Sequence, residues 1–329
     1  MTILYVVTDG ATVRKRGGSF IVETPEGGTA AEIEAVRLEH ACILNTVQVT
    51  TQALTAMLEQ GVELAILSHR GKLLGQLTPP MPKNILLRKA QYMKECDPDF
   101  ALEQARRIVA VKVENQRQVL LRHRLDEPGE QPQAEAAEKE MARLAASIPA
   151  APDLAVLRGI EGACARAYWG AFGSMLKAGD AAFPGREQRP ATNPVNAVLS
   201  LGYVLLGGMI QSLLDGIGFD PHLGFFHEEA YGRPSLALDL VEPFRAPVVD
   251  RMTLRLFNLR VLTHADFDPE EDGGLRMRPE ALRRFFREWE KTLKKMDVRL
   301  RVREQAEGLR RLFLGENDAI MPWSWRARP

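Results

Sequence analysis

Near the N-terminus apolar positions come in short runs, "ILYVV", "ATVRK" and "SFIVE", separated by Thr8-Asp9-Gly10 and Gly17-Gly18. Short runs bounded by turn formers predict strands joined by tight turns. The stretch "TTQALTAMLEQG" interrupts them as a helix, with Thr50 or Thr51 as N-cap, apolar Leu54, Met57 and Leu58, and Gly61 as terminator. "VELAILSHRGKLLGQL" reads as strand, turn and strand, and "TPPMP" at 78 to 82 ends the pattern.

From Lys83 onward the apolar period becomes 3.6, and nearly every segment predicts a helix. A helix is expected over 153 to 176 with Asp153 as cap, and another begins with Asn193 at the N-cap and Pro194 at N1. The segment from Leu275 alternates basic and apolar residues, as a surface helix pair would. The acidic, Pro-containing "DEPGEQPQAEAAEKE" at 126 to 140 reads as an exposed connection. The chain is thus expected to be α+β with two domains. A small β-rich domain with one or two helices covers 1–80, a linker 81–95, and a larger all-α domain 96–329.

One helical stretch does not fit a plain amphipathic pattern. In "LALDLVEPFR", Ser235, Asp239 and Glu242 fall on one narrow stripe and apolar residues cover the rest. That stripe suits either a solvated face or the wall of a site.

Composition narrows the choice only partly. The 329 residues carry 43 basic and 43 acidic side chains, so any pull on nucleic acid must come from local clusters of Lys and Arg. Cys42, Cys96 and Cys164 are far apart and form no CxxC pair, which disfavours a disulfide framework or a cysteine-zinc site and suits a reducing cytoplasm. The N-terminal "MTILYVVTDGATVRKRGG" has no signal-peptide pattern, and no stretch is read as a membrane span, so a cytoplasmic protein is expected.

Familiar catalytic motifs are missing. "GIGFDP" lacks the third glycine of a dinucleotide loop, no GxxxxGK[ST] or GxSxG occurs, and "HEEAY" has Tyr231 where a zincin needs its second histidine. What remains are polar residues in segments that otherwise read as core or as structured loop. Glu161 lies between Gly159 and Gly162, with Tyr168 two turns on along the same face; it suits a site, a solvated edge, or a pair with Arg158 or Arg166. His227 sits in the Gly- and Pro-punctuated "GFDPHLGFFHEEAYGRP". If these helices converge, one imidazole and two or three carboxylates make a mixed N/O site suited to Mg²⁺ or Mn²⁺ and to phosphodiester chemistry.

The segments "LYVVTDGATVRKRGGSFIV", "RKAQYM", "ARRIVAVKVENQRQVLLR", "LRGIEGACARAYW", "RPATNPVNAVLSLGYVLL", "GFFHEEAYGRPSLALDLVEPFR" and "DRMTLRLFN", in this order, resemble the CRISPR-associated adaptation integrases nearly end to end. The resemblance implies a metal-dependent DNA endonuclease and integrase that inserts spacer DNA into a CRISPR array for antiviral defence, a free 3′-hydroxyl attacking a phosphodiester. It implies Glu161, His227 and Glu242 as metal and catalytic ligands, Asp239 as a supporting acid, and Arg245 as a DNA contact. Arg88, Lys112, Arg117 and Arg189 are expected to track phosphates as well. A dimerising N-terminal domain, hence a homodimer, and a small ferredoxin-like partner subunit are also implied. The rival reading is a non-catalytic nucleic-acid-binding scaffold whose acids are structural ion pairs. A helical metallohydrolase of small phosphoesters fits less well, since phosphate loops are absent. No role for Tyr168 or Asn196 can be read from the sequence.

Overall fold

In a computed structural model, which describes residues 2–68, 73–78, 84–126, 129–177, 183–187, 190–228, 230–271, 273–316 and 319–326, the N-terminal strands divide between two sheets. In chain order the elements are β1 (Thr2–Val6), β2 (Thr12–Arg16), β3 (Ser19–Glu23), β4 (Thr29–Glu34), β5 (Leu38–Leu44), β6 (Gln48–Val49), α1 (Thr51–Glu59), β7 (Glu63–Leu67) and β8 (Leu73–Leu77). One sheet runs β1-β5-β7-β8 and the other β4-β3-β2-β6. The Gly17-Gly18 turn closes a hairpin as its composition predicts, with Arg16 opposite Ser19 and Gly17 at a φ of 55°. The Thr8-Asp9-Gly10 turn instead carries the chain from one sheet to the other. β1 pairs in parallel with β5, and parallel strands need a crossover, which the second sheet supplies. α1 supplies the next one, between the parallel β5 and β7. Its N-cap is Thr50, whose side chain accepts from the Ala53 N–H.

The helical part comprises α2 (Ile85–Glu95), α3 (Pro98–Asp126), α4 (Pro132–Ala145), α5 (Leu154–Phe172), α6 (Pro194–Ile217), α7 (Ser235–Phe244), α8 (Arg251–Asn258), β9 (Phe267–Pro269), β10 (Leu275–Met277), α9 (Pro279–Lys295) and α10 (Val298–Phe313). It is not all helix: β9 and β10 pair antiparallel as a short ribbon, a correction to the all-α expectation. α3 packs against α4, α5 and α7. Its buried stripe of Ala105, Ile108, Val109, Val113, Val119 and Leu120 explains why this long helix sits centrally.

The segment read as an exposed connection is mostly α4. Pro132 at the first turn and Ala134, Ala137 and Met141 on one buried face make it an amphipathic helix despite its acidic composition. α6 starts at Asn193, which accepts from the Asn196 N–H, and stops at Gly218 in the left-handed region. By length and composition alone α6 could cross a membrane, which the sequence reading did not expect. Here it packs on α7, α8 and α10, with Leu199, Leu206 and Ile210 buried. Tyr5 ties the β-rich part to the helices: its ring stacks on Phe286 at 4.3 Å and its hydroxyl donates to Glu290 at 2.6 Å.

Candidate active site

The polar stripe of α7 faces inward. Ser235, Asp239 and Glu242 are 0%, 0% and 3% exposed, so the solvated-face alternative does not hold. Buried carboxylates persist only with partners. Asp239 has four: its Oδ2 accepts the Phe225 and Phe226 N–H groups at 2.6 and 3.0 Å, and its Oδ1 accepts the His227 N–H at 3.0 Å and His227 Nδ1–H at 2.6 Å. The loop wraps this closely because Gly224 has no side chain; a Cβ there would stand 2.7 Å from Asp239 Oδ2. From the other side, Gln91 of α2 donates to the Asp220 and Leu223 carbonyls and accepts the Asp220 N–H. The loop is therefore held at both ends, and His227 presents Nε2 towards Glu242 Oε1, 3.8 Å away. With Nδ1 donating to a carboxylate, the lone pair of the neutral ring lies on Nε2.

Glu161 arrives from α5 and meets this group through Lys112 of α3. The Lys112 ammonium is 2.6 Å from Glu161 Oε1 and 2.6 Å from Glu242 Oε2. It donates a hydrogen bond to Glu161, but towards Glu242 it makes an ion contact outside hydrogen-bond alignment, leaving that buried oxygen without a hydrogen bond. Arg245 approaches Glu242 Oε1 with Nε at 3.3 Å. Burial would raise the Glu242 carboxyl, yet Arg245, Lys112 and His227 together hold it down at about 2, so it is ionised throughout the neutral range. For Lys112, burial disfavours the charge, but Glu242 and Glu161 outweigh it and raise its pKa. Among the described residues no three His, Cys, Asp or Glu side chains stand at metal-ligand spacing, and the ammonium fills the space between the two glutamates.

The end of α7 explains where Arg245 points. Pro243 removes an N–H, and the helix passes into a π-helical turn over Arg245–Asp250. Side chains satisfy carbonyls near this break: Gln305 donates to Leu240 O at 3.0 Å and Asn115 to Pro243 O at 2.6 Å. The Arg245 guanidinium lies 4.8 Å from the Tyr203 ring centre, and that of Arg186 lies 5.4 Å from the same ring. Tyr203 and Tyr168 both donate to the buried Asp250. Burial pushes Asp250 up to about 7, against the pull of those hydrogen bonds and of Arg245 and Arg186. Asn196 has a role as well: its side chain accepts from Arg186 and from the Glu187 N–H and donates to Gly185 O, which fixes Arg186 beside Tyr203.

Glu161, His227, Asp239, Glu242 and Arg245 are thus brought together. Lys112, expected as a phosphate-tracking residue, belongs to the same cluster, inside it and only 13% exposed. Arg117 is not brought in: its fork is taken by Glu138 of α4 and by Glu114. Arg88 is half-buried on α2, and Arg189 lies outside the described residues. Sequence reasoning missed the bridging position of Lys112, the Arg186–Tyr203–Asp250 group and the need for Gly224. The signal for Lys112 was present: in "ARRIVAVKVENQ" a lysine falls on the stripe of Ile108 and Val109, where a charge requires a buried partner.

Residues 4–291 match the family model described as CRISPR associated protein Cas1. The "CRISPR-associated endonuclease Cas1 2" of Rhodospirillum rubrum is 33% identical over 345 residues, with 99% of each chain covered. A solved casposase bound to integration product superposes with a TM-score of 0.83 at 24% identity, covering 97% of this chain and 92% of its own. A chain of a solved Cas6-RT-Cas1–Cas2 complex does so with a TM-score of 0.85 at 24% identity, covering 98% of this chain and 36% of its own. At that identity the structural likeness bears on the fold alone.

Proposed function

This chain belongs to the CRISPR-associated Cas1 family of endonucleases and integrases, and from that premise we propose that Glu161, His227 and Glu242 form its catalytic centre for joining spacer DNA to a CRISPR array. The observation that carries the proposal is the convergence of Glu161 and Glu242 on one cation, Lys112 Nζ, with His227 Nε2 beside Glu242. The donor set fits a hard divalent cation such as Mg²⁺ or Mn²⁺: two carboxylates that already face one cation, and one imidazole nitrogen beside them. When bound, such an ion polarises a phosphoryl oxygen and lowers the pKa of an attacking hydroxyl.

The chain's own groups supply the rest. Asp239 fixes the ring plane and tautomer of His227, so the nitrogen lone pair is set before any ligand arrives. Glu242 enters ionised because Arg245 and Lys112 keep it so. Arg245, held against Tyr203, and Lys112 provide positive charge for the phosphate whose ester bond a DNA 3′-hydroxyl attacks. Arg88 and Arg189 are kept as further phosphate contacts. Arg117 is left in its structural pairs. The β-rich region acts as the dimerising part, and a small ferredoxin-like subunit bridges two dimers; the presence of Cas2 beside Cas1 in the solved Cas6-RT-Cas1–Cas2 complex supports such an assembly. It works in the cytoplasm, in keeping with three free cysteines.

The test is strand transfer of a fluorescent DNA with Mg²⁺ or Mn²⁺ titrated in. Glu161→Ala, His227→Ala and Glu242→Ala are each expected to lose about two orders of magnitude of product while keeping the wild-type circular dichroism spectrum. Full activity in any one of them removes that residue from the centre. DNA binding with no metal-dependent product in the wild type supports the scaffold reading instead.

A further inference from the structure

Resting on the reading of the acidic pocket as a metal site, we infer that Lys112 is an internal counter-cation that must leave the carboxylates before a divalent ion can enter. Two carboxylates from different helices stand on either side of one ammonium, each 2.6 Å from it. Without a cation their mutual repulsion in a pocket 3% to 19% exposed would push α5 and α7 apart or force one acid to take up a proton. Lys112 prevents both. It is tethered by a four-carbon stem on α3, a helix packed against both α5 and α7, so the pocket is neutralised as soon as the fold forms.

An ion with charge +2 taking the same two oxygens cannot share that space with an ammonium of charge +1. The lysine stem is flexible, α3 is not, and the ammonium's escape is a rotation about side-chain bonds. Displaced, Nζ is left beside the pocket with its charge available to a phosphate oxygen. Lys112 thus neutralises Glu161 and Glu242 while no metal is bound, and as a competing cation it sets the threshold metal concentration at which the pocket loads.

The probe is Mn²⁺ alone, added to the full-length protein without DNA and followed by calorimetry. Lys112→Gln is expected to bind Mn²⁺ at least tenfold more tightly than wild type, because the competing cation is gone. In the wild type, acylation of Lys112 by an amine-reactive ester, read by mass spectrometry of the peptide, is expected to be slow without metal and several-fold faster in saturating Mn²⁺. The labelling needs no variant, so a Lys112→Gln protein that fails to fold does not remove the test. Equal or weaker Mn²⁺ binding by a folded Lys112→Gln protein, or labelling unchanged by Mn²⁺, overturns the inference. If Glu242→Gln abolishes Mn²⁺ binding while Lys112→Gln leaves it unchanged, the metal site stands and only the role of Lys112 falls. If wild type and Lys112→Gln both bind no Mn²⁺, the reading of the pocket as a metal site falls first.

Discussion

Asp239 accepts hydrogen bonds from three backbone N–H groups and from the His227 ring, two on each oxygen. Both of its oxygens therefore have to be acceptors, which decides what the closest isostere does. In Asp239→Asn the amide NH₂ faces either the Phe225 and Phe226 N–H groups, losing two hydrogen bonds, or His227, losing its backbone N–H bond and forcing Nδ1 to accept instead of donate. At about 1–3 kcal/mol for each buried group left unpaired, the variant is expected to be destabilised by several kcal/mol. A neutral amide also holds the His227 tautomer less firmly than a carboxylate does, and strand transfer is expected to fall by about 10–100-fold. Thermal unfolding checks the first and a metal-dependent strand-transfer assay the second. A variant with wild-type stability but lowered activity would show that the loop is held chiefly by Gln91 and that Asp239 acts on the ring alone. The same packing makes Gly224→Ala costly, since its Cβ would meet Asp239 Oδ2 and the Ser235 and Leu236 backbone within 3 Å.

Between α7 and α8 the π-helical turn places Asp250 under α5 and α6, where Tyr168 and Tyr203 donate to it. Its carboxyl is raised from an ordinary value of 3.8 to about 7. Above pH 4 the unfolded chain has released this proton while the folded chain still holds it, so stability falls as pH rises and levels off above about 7. At 1.36 kcal/mol per unit the span corresponds to about 4 kcal/mol. Asp250→Asn has no such proton to lose. Its unfolding free energy relative to wild type is expected to improve from about pH 4.5 to about pH 7 and then level off, as measured by urea denaturation at several pH values. A constant difference across that range would mean that Asp250 titrates in the fold as it does in the open chain. The π-turn itself has no periodic signature in "PFRAPVVD" beyond its two prolines. It depends on a close approach that the sequence does not announce: a Cβ on Gly202 of α6 would lie 2.5 Å from Val249 Cγ1.

Across the whole chain, what could be read locally and what could not differ in physical kind. The N-caps at Thr50, Asp153 and Asn193 were legible because a cap is decided by a few adjacent residues. The stripe of Asp239 and Glu242 was legible as an oddity because two charges interrupt an apolar helix. Partner choice was not legible. β1 and β2 follow one another yet lie in different sheets, and Lys112 reaches two acids 49 and 130 residues further on. α4 was misread because its acidic composition outweighed a weak apolar stripe of Ala134, Ala137 and Met141. The C-terminal segment 319–326 carries no periodic pattern, and it closes the fold behind the site. Ile320 N–H donates to Gln104, Trp323 N–H to Gln305 and Trp325 N–H to Asn115, while Trp323 stacks on Phe244 at 4.9 Å. Gln305 and Asn115 are the side chains that satisfy the carbonyls at the end of α7, so this strap holds the two amides that hold the α7 end. Removing residues 319–329 leaves three buried amide groups short of a partner and uncovers Phe244, a loss of about 3–6 kcal/mol from the amides and aromatic burial together. The truncated protein is expected to melt well below the full chain, and Trp323→Ala, which keeps the backbone strap, should fall between the two in calorimetry. Mn²⁺ binding should weaken in the same order, because Glu242 sits one residue before Pro243. A truncated chain that melts and binds Mn²⁺ like the intact one would show that α3 and α10 hold α7 without the strap.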